Sequence, residues 1–288
     1  MSSESDSRVW FHGRMIPQEE AVVPVSDRSF LYGDGLFESV RIHGGVPFLW
    51  SRHLERLRAG AGFLRIPIPF SDEELTRGVH DLIRHHGTDE AMLRVTVSRG
   101  SGPRGYSPRG ADHPRVIMTL HPLARARAGS DVSWKLATSK FRVATGDPLA
   151  RFKTANKLVQ VLSRMEAEAA GADEALMLNT QGHVAEAASG SLFWIESGTV
   201  CTPPIDAGCL AGITRGVVLE LAGQVGLETA EPLRTGEELR MADGVFLAMS
   251  SLGIVPVSHL DGTAMSVSPI TDQLRRAYDT LANVSRTP

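Results

Sequence analysis

Four lysines are the only side chains open to amine chemistry in this 288-residue chain: Lys135, Lys140, Lys153 and Lys157. Lys153 draws interest because Arg151-Phe152-Lys153-Thr154-Ala155-Asn156 leads into an amphipathic run. The spacing predicts a helix over 153–170, with Leu158, Val161, Leu162, Met165 and Ala169 facing inward. Lys153 would open that helix, the electrostatically wrong end for a cation. A destabilised ammonium suits Schiff-base formation or proton transfer. A solvated surface lysine fits the same residues.

Three further segments carry chemistry of their own. Glu186 is the acidic residue in the small, apolar run His183-Val184-Ala185-Glu186-Ala187-Ala188-Ser189-Gly190. Buried, such a carboxylate keeps a ring nitrogen protonated; facing water, it is an ordinary strand glutamate. Leu210-Ala211-Gly212-Ile213-Thr214-Arg215 puts Gly212 and Thr214 at a strand-to-helix turn. The N–H groups and positive dipole end of a helix bind phosphate there, and glycine lets the ligand come close. A plain helix start capped by Thr214 reads equally well. Residues 99–107 (RGSGPRGYS) form a glycine-rich loop with two arginines, whose forks suit carboxylates. That loop lacks a Walker pattern, and Gly33-Asp34-Gly35 lacks the Rossmann spacing. His53, His85 and His86 show no metal-ligand spacing, so no metal is expected.

The elements that must position these groups read as α+β. Short strands are expected over 9–16 and 21–25. Strands over 36–42 and 46–50 flank Gly44-Gly45, a hairpin signal. A helix from Ser51 carries Leu54, Leu57, Ala61 and Leu64 on one face, and Ser71-x-x-Glu74 is a capping box opening another. Leu93, Val95 and Val97 alternate with polar neighbours, as in a half-buried strand, and 116–120 gives one more. Residues 122–131 (PLARARAGSD) read as a linker between a small N-terminal domain, 1–121, and a larger C-terminal domain, 132–288. In the second domain strands are expected over 132–138, 174–178, 183–187, 192–195, 245–249 and 254–257, with helices over 213–225 and after Pro269.

Composition narrows the classes. Hydrophobic residues make up 42% and charged residues 22%, as in an ordinary globular protein. A formal charge of −3 provides no basic field for nucleic acid or an anionic membrane. Two cysteines, Cys201 and Cys209, fit a reducing compartment, and the polar start MSSESDSR carries no export signal. The longest uncharged stretch, 244–260, is too mixed to span a bilayer. A cytoplasmic protein is expected.

Taken in order, several separated pieces resemble the class IV, fold-type IV pyridoxal-phosphate enzymes. They are Asp27-Arg28 with Gly33-Asp34-Gly35-Leu36-Phe37-Glu38, His53-Leu54-Glu55-Arg56-Leu57, Lys153-Thr154-Ala155-Asn156, Glu186 with Leu192-Phe193, and Gly212-Ile213-Thr214-Arg215. That group includes branched-chain and D-amino acid aminotransferases and 4-amino-4-deoxychorismate lyase. The resemblance implies two α/β domains with pyridoxal 5′-phosphate between them. It implies that Lys153 bonds covalently to the cofactor; Lys157, one helical turn further on, is its rival for the same pocket. Arg56, the backbone from Leu210 through Gly212, Ile213 and Thr214, and the Ser250 hydroxyl would hold the phosphate. Glu186 would hold the pyridinium nitrogen. Glu38, Arg104, Tyr106 and Ser251 are the residues expected to face substrate.

The loop 99–107 looks most like the lyase, whereas D-amino acid aminotransferases have Arg-x-His where Arg104 and Tyr106 stand. Glu38 is shared with the aminotransferases, and Ser191 replaces an asparagine common in the family. The expected function is conversion of 4-amino-4-deoxychorismate to 4-aminobenzoate and pyruvate, for folate precursors. The alternatives are a class IV aminotransferase acting on D- or branched-chain amino acids, and a non-enzymatic phosphate-binding module. The resemblance also implies a homodimer and a small-molecule amine or amino acid as substrate.

Overall fold

The computed structural model describes residues 7–123 and 132–284. Most of the expected linker, 124–131, lies outside the described residues. The chain forms two compact units: among the described residues, 7–123 with Phe152–Asn156, and 132–151 with Lys157–Val284.

The first unit holds a six-stranded sheet in the order Arg14–Pro17, Arg8–Phe11, Arg115–Pro122, Glu90–Ser98, Gly35–His43, Val46–Pro47. Its neighbours pair antiparallel. The tight turns follow from residues that accept positive φ. Gly44 (φ 58°) and Gly45 (φ 76°) join two strands, and His12 (φ 47°) with Gly13 (φ 93°) splits the expected strand 9–16 into a hairpin. Residues 21–25, expected as a strand, form none.

Alternation decides which face of this sheet is buried. Leu36, Val40 and Ile42 stand opposite Val97, Leu93 and Ala91, and all six belong to the core. Leu54, Leu57 and Ala61 of helix Trp50–Leu64, and Leu75, Val79 and Leu82 of helix Asp72–His86, complete that core. The second helix starts on the expected capping box: Ser71 Oγ accepts from Glu74 N, and the Glu74 carboxylate accepts from Ser71 N. Phe37, Ser39, Thr96 and Arg94 alternate onto the opposite face.

The second unit is built on a nine-stranded sheet. Its main path runs Thr229–Ala230, Thr199–Cys201, Ser191–Glu196, Gly244–Met249, Gly253–Leu260, Trp134–Val143, Glu174–Asn179, Val184–Ala187. Thr263–Ala264 pairs off this path with Gly253–Leu260. Leu176, Leu192, Trp194, Leu247, Val255 and Val257 form its core. Helix Ile213–Gln224 packs on Gly244–Met249 and on helix Pro269–Val284. The fold class is α+β.

One helix departs from expectation. It runs Leu158–Ala169, five residues later than the predicted start, and its buried residues are Ser163 and Ala167. Leu158 (64% exposed), Val161 and Met165 (59%) face outward, not inward as their spacing suggested. Spacing groups residues on one stripe but carries no information about what covers that stripe.

Candidate active site

In the first unit, Lys153 sits in an extended stretch rather than at a helix start. Phe37 N–H donates to Lys153 O at 2.9 Å, Ala155 N–H donates to Gly35 O at 2.9 Å, and Leu36 bridges Thr154 antiparallel. The segment Phe152–Asn156 therefore pairs with the start of strand Gly35–His43. Gly33 makes room for it: a Cβ there would lie 3.1 Å from Asn156 Cβ, and the residue's φ of 68° favours glycine. The Lys153 ammonium lies 4.7 Å from the centre of the Phe37 ring, whose centre is also 4.0 Å from the Arg94 guanidinium carbon. The helix dipole invoked from sequence plays no part in this setting. Pairing with strand Gly35–His43 sets the position of Lys153.

Glu38 faces the core side of the same strand and is only 1% exposed. Arg56 donates from Nε to Glu38 Oε1 at 2.8 Å and from Nη2 to Oε2 at 2.7 Å. His53 Nδ1 lies 2.7 Å from Oε2. Burial opposes charge on Glu38, but the hydrogen bonds from His53 and Arg56 outweigh it and hold the carboxyl below its ordinary value. Glu38, expected from the sequence to face substrate, is buried here against Arg56 and His53. Arg104 and Tyr106 are both exposed, on a loop whose main chain is tied to Arg28.

The second unit gathers the remaining expected groups. Glu186 lies on strand Val184–Ala187, opposite Met177, and its carboxylate accepts from Leu210 N at 3.0 Å. Helix Ile213–Gln224 begins at Gly212, with no side-chain cap on its first N–H groups. A Cβ on Gly212 would lie 2.6 Å from Ser191 Oγ. Ser191 stands opposite Ala248, two residues before Ser250, and Ser250 and Ser251 lie in the turn that joins Gly244–Met249 to Gly253–Leu260. Glu186, the helix start, Ser191 and this turn thus cluster at one end of the sheet. Thr214 is buried in the first turn, and Lys157 immediately precedes helix Leu158–Ala169. This donor set suits an aromatic phosphate: uncapped N–H groups and hydroxyls for the phosphate, and a carboxylate for a ring nitrogen.

The amino-transferase class IV family model matches residues 35–260. The chain belongs to this family. The class IV chain is 30% identical to the branched-chain-amino-acid aminotransferase of Salmonella typhimurium over 289 residues, covering 96% of this chain and 94% of the relative. It is 32% identical to the aminodeoxychorismate lyase of Vibrio harveyi over 274 residues, 94% of this chain and 98% of that one. In structure it is similar to the branched-chain amino acid aminotransferase of T.th., solved with pyridoxamine 5′-phosphate. That match has a TM-score of 0.90 at 29% identity and covers 98% of this chain and 96% of the other. The class IV chain is a pyridoxal-phosphate-dependent enzyme acting on small amine or amino acid substrates, an aminodeoxychorismate lyase or a branched-chain aminotransferase. Among the described residues, no helix is long and apolar enough to cross a membrane, and no cluster of His, Cys, Asp and Glu is arranged to hold a metal.

The place of Arg94 beside Phe37 and the reach of Arg28 to the loop at Gly105 were not read from the sequence. Arg94 alternates with core residues Leu93 and Val95, which was the available signal that it faces away from the core. Arg28 and Asp34 lay inside the quoted motif, but nothing local showed that Arg28 reaches residues more than 70 positions away.

Proposed function

We propose that this enzyme is a 4-amino-4-deoxychorismate lyase, releasing 4-aminobenzoate and pyruvate toward folate precursors. The observation that carries this reading is the loop 99–107. It turns Arg104 and Tyr106 outward on a main chain tied down by a buried arginine, and offers one guanidinium fork and one phenol to a substrate carboxylate.

Lys153 is the covalent and proton-transferring residue. Its amine takes the proton from the ring carbon that bears the substrate amine. When bound, pyridoxal phosphate supplies a sink for the electron pair left behind. Glu186 keeps the ring nitrogen protonated, with Leu210 N–H fixing one of its oxygens. The first turn at Gly212, Ile213 and Thr214 and the Ser250 hydroxyl bind phosphate, as does Arg56, aligned by Glu38. Loss of the neighbouring enolpyruvyl oxygen makes the ring aromatic, and the released enol takes up a proton to become pyruvate. The reaction balances without an oxidant or an amino acceptor.

The second reading is a branched-chain or D-amino acid aminotransferase, favoured by the 30% identity to the Salmonella typhimurium enzyme along nearly the whole chain. In that reaction Lys153 would again take up and hand on the substrate proton, and pyridoxal phosphate would supply the amino-group carrier chemistry when bound. A homodimer is part of the proposal, because Leu158, Val161 and Met165 form an exposed apolar stripe that a second copy would cover. The free thiols of Cys201 and Cys209 favour a cytoplasmic setting.

The test is product analysis. Holoenzyme given aminodeoxychorismate and no keto acid should release 4-aminobenzoate and pyruvate. No product there, with keto acid formed from branched-chain or D-amino acids in the presence of an acceptor, would replace the lyase by the transaminase.

A further inference from the structure

Arg28 is a nearly fully buried cation, 3% exposed, in the five-residue helix Arg28–Tyr32. Its guanidinium fans across three successive carbonyls. Nη1 donates to Gly105 O at 2.9 Å and Ser107 O at 3.2 Å, and Nη2 donates to Tyr106 O at 3.1 Å. Nε donates to Asp34 Oδ2 at 2.8 Å, an oxygen that also accepts from Arg99 Nε at 2.8 Å. The main chain joins in, with Arg28 N–H donating to Gly100 O at 2.9 Å. Tyr32 closes the cluster. Its ring lies 5.0 Å from the Arg28 guanidinium, its hydroxyl accepts from Gly105 N at 3.2 Å, and its edge meets the Tyr106 ring at 5.6 Å.

We propose that Arg28 is a positioning residue that sets substrate acceptance by locking the main chain of the loop bearing Arg104 and Tyr106. The proposal rests on the reading that this loop meets the substrate. Three converging carbonyls require the backbone to fold back on itself, and Gly105 permits this at φ 110°. Only a planar fork with five donors satisfies three carbonyls and a carboxylate at once; a lysine, with three donors on a point charge, does not. A buried guanidinium that loses these acceptors is left with its desolvation cost uncompensated, so the loop and the cation order each other. The tip residues stay in water: Tyr106 is 88% exposed. Two side chains that would otherwise be mobile are thus presented in one arrangement, which removes an ordering cost from binding.

The experiment compares Arg28→Lys and Tyr32→Phe with the wild-type holoenzyme. Native-state trypsin cleavage after the exposed Arg104 and Arg109 reads loop order without reference to activity. Cofactor titration reads the binding site, and steady-state kinetics are taken on whichever reaction the wild type catalyses. The expected result for Arg28→Lys is cleavage at least tenfold faster, KM raised at least tenfold, kcat within threefold and cofactor affinity unchanged. Tyr32→Phe, which removes one acceptor, should move the same readings in the same direction by less. Unchanged cleavage in either folded variant overturns the clamp. Faster cleavage with unchanged KM overturns its link to the substrate. Should Arg28→Lys fail to fold, Tyr32→Phe decides alone on the same criteria. A wild type that transaminates instead of releasing 4-aminobenzoate would overturn the lyase reading, and the clamp would be judged on that reaction.

Discussion

Arg56 lays two N–H groups across both oxygens of Glu38, Nε on Oε1 at 2.8 Å and Nη2 on Oε2 at 2.7 Å. A carboxylate 1% exposed and held at both ends by a guanidinium orients that arginine. Removing one partner of such a buried pair costs about 3–5 kcal/mol, because the other charge is left without compensation. Glu38→Gln should therefore lower the midpoint of chemical denaturation and weaken cofactor binding while leaving KM for substrate within threefold at saturating cofactor. A variant with unchanged cofactor affinity and a raised substrate KM would return Glu38 to the substrate side.

The same carboxylate has a pH signature. Its folded pKa is held below the ordinary 4.5, so its stabilising contribution is complete above that value and is lost as pH falls through the lower folded value. Denaturation midpoints taken between pH 6 and 3 should fall more steeply for the wild type than for Glu38→Gln. Parallel profiles would show that the pair contributes nothing to acid stability.

Lys153 should be the point of attachment. Borohydride reduction of the yellow holoenzyme, followed by peptide mapping, should place the pyridoxyl group on the peptide containing Lys153. Label on Lys157, Lys140 or Lys135 would refute the assignment.

Glu186→Gln should keep the fold and much of the cofactor binding but slow turnover. A neutral amide does not hold the ring nitrogen protonated, and losing such a contact costs on the order of 2–4 kcal/mol in the transition state, about 30- to 1000-fold in rate. Turnover within threefold of wild type would remove Glu186 from this role.

Both cysteines should be inert in the native enzyme. Burial, then the charge of Glu186, pushes the Cys209 thiol up to about 12, and burial followed by Glu196 pushes Cys201 up to about 11. The thiolate is the reactive form, so a thiol reagent at pH 8 should label neither until the protein unfolds. Fast labelling of the native protein would contradict these environments.

Much of this molecule is legible in the sequence because it depends on neighbours a few residues apart. The Ser71–Glu74 capping box, the Gly44-Gly45 turn, the alternation of Leu93, Val95 and Val97 and the helix start at Gly212 all follow from local period and backbone freedom. The order of the family's motifs points to the cofactor before any coordinates do. Tertiary structure decided what those local signals leave open. Lys153 lies beside strand Gly35–His43 instead of opening a helix because its backbone pairs with Gly35 and Phe37, more than 100 residues away in sequence. Helix Leu158–Ala169 turns Ser163 and Ala167, not its apolar stripe, toward the unit's interior. Glu38 meets Arg56, and Arg28 meets the loop at Gly105, only once the sheet is assembled. Period and caps are set within a turn or two of chain; the partner of a buried charge is set by which distant segments pack against it, and one sequence read alone carries no signal for that distance.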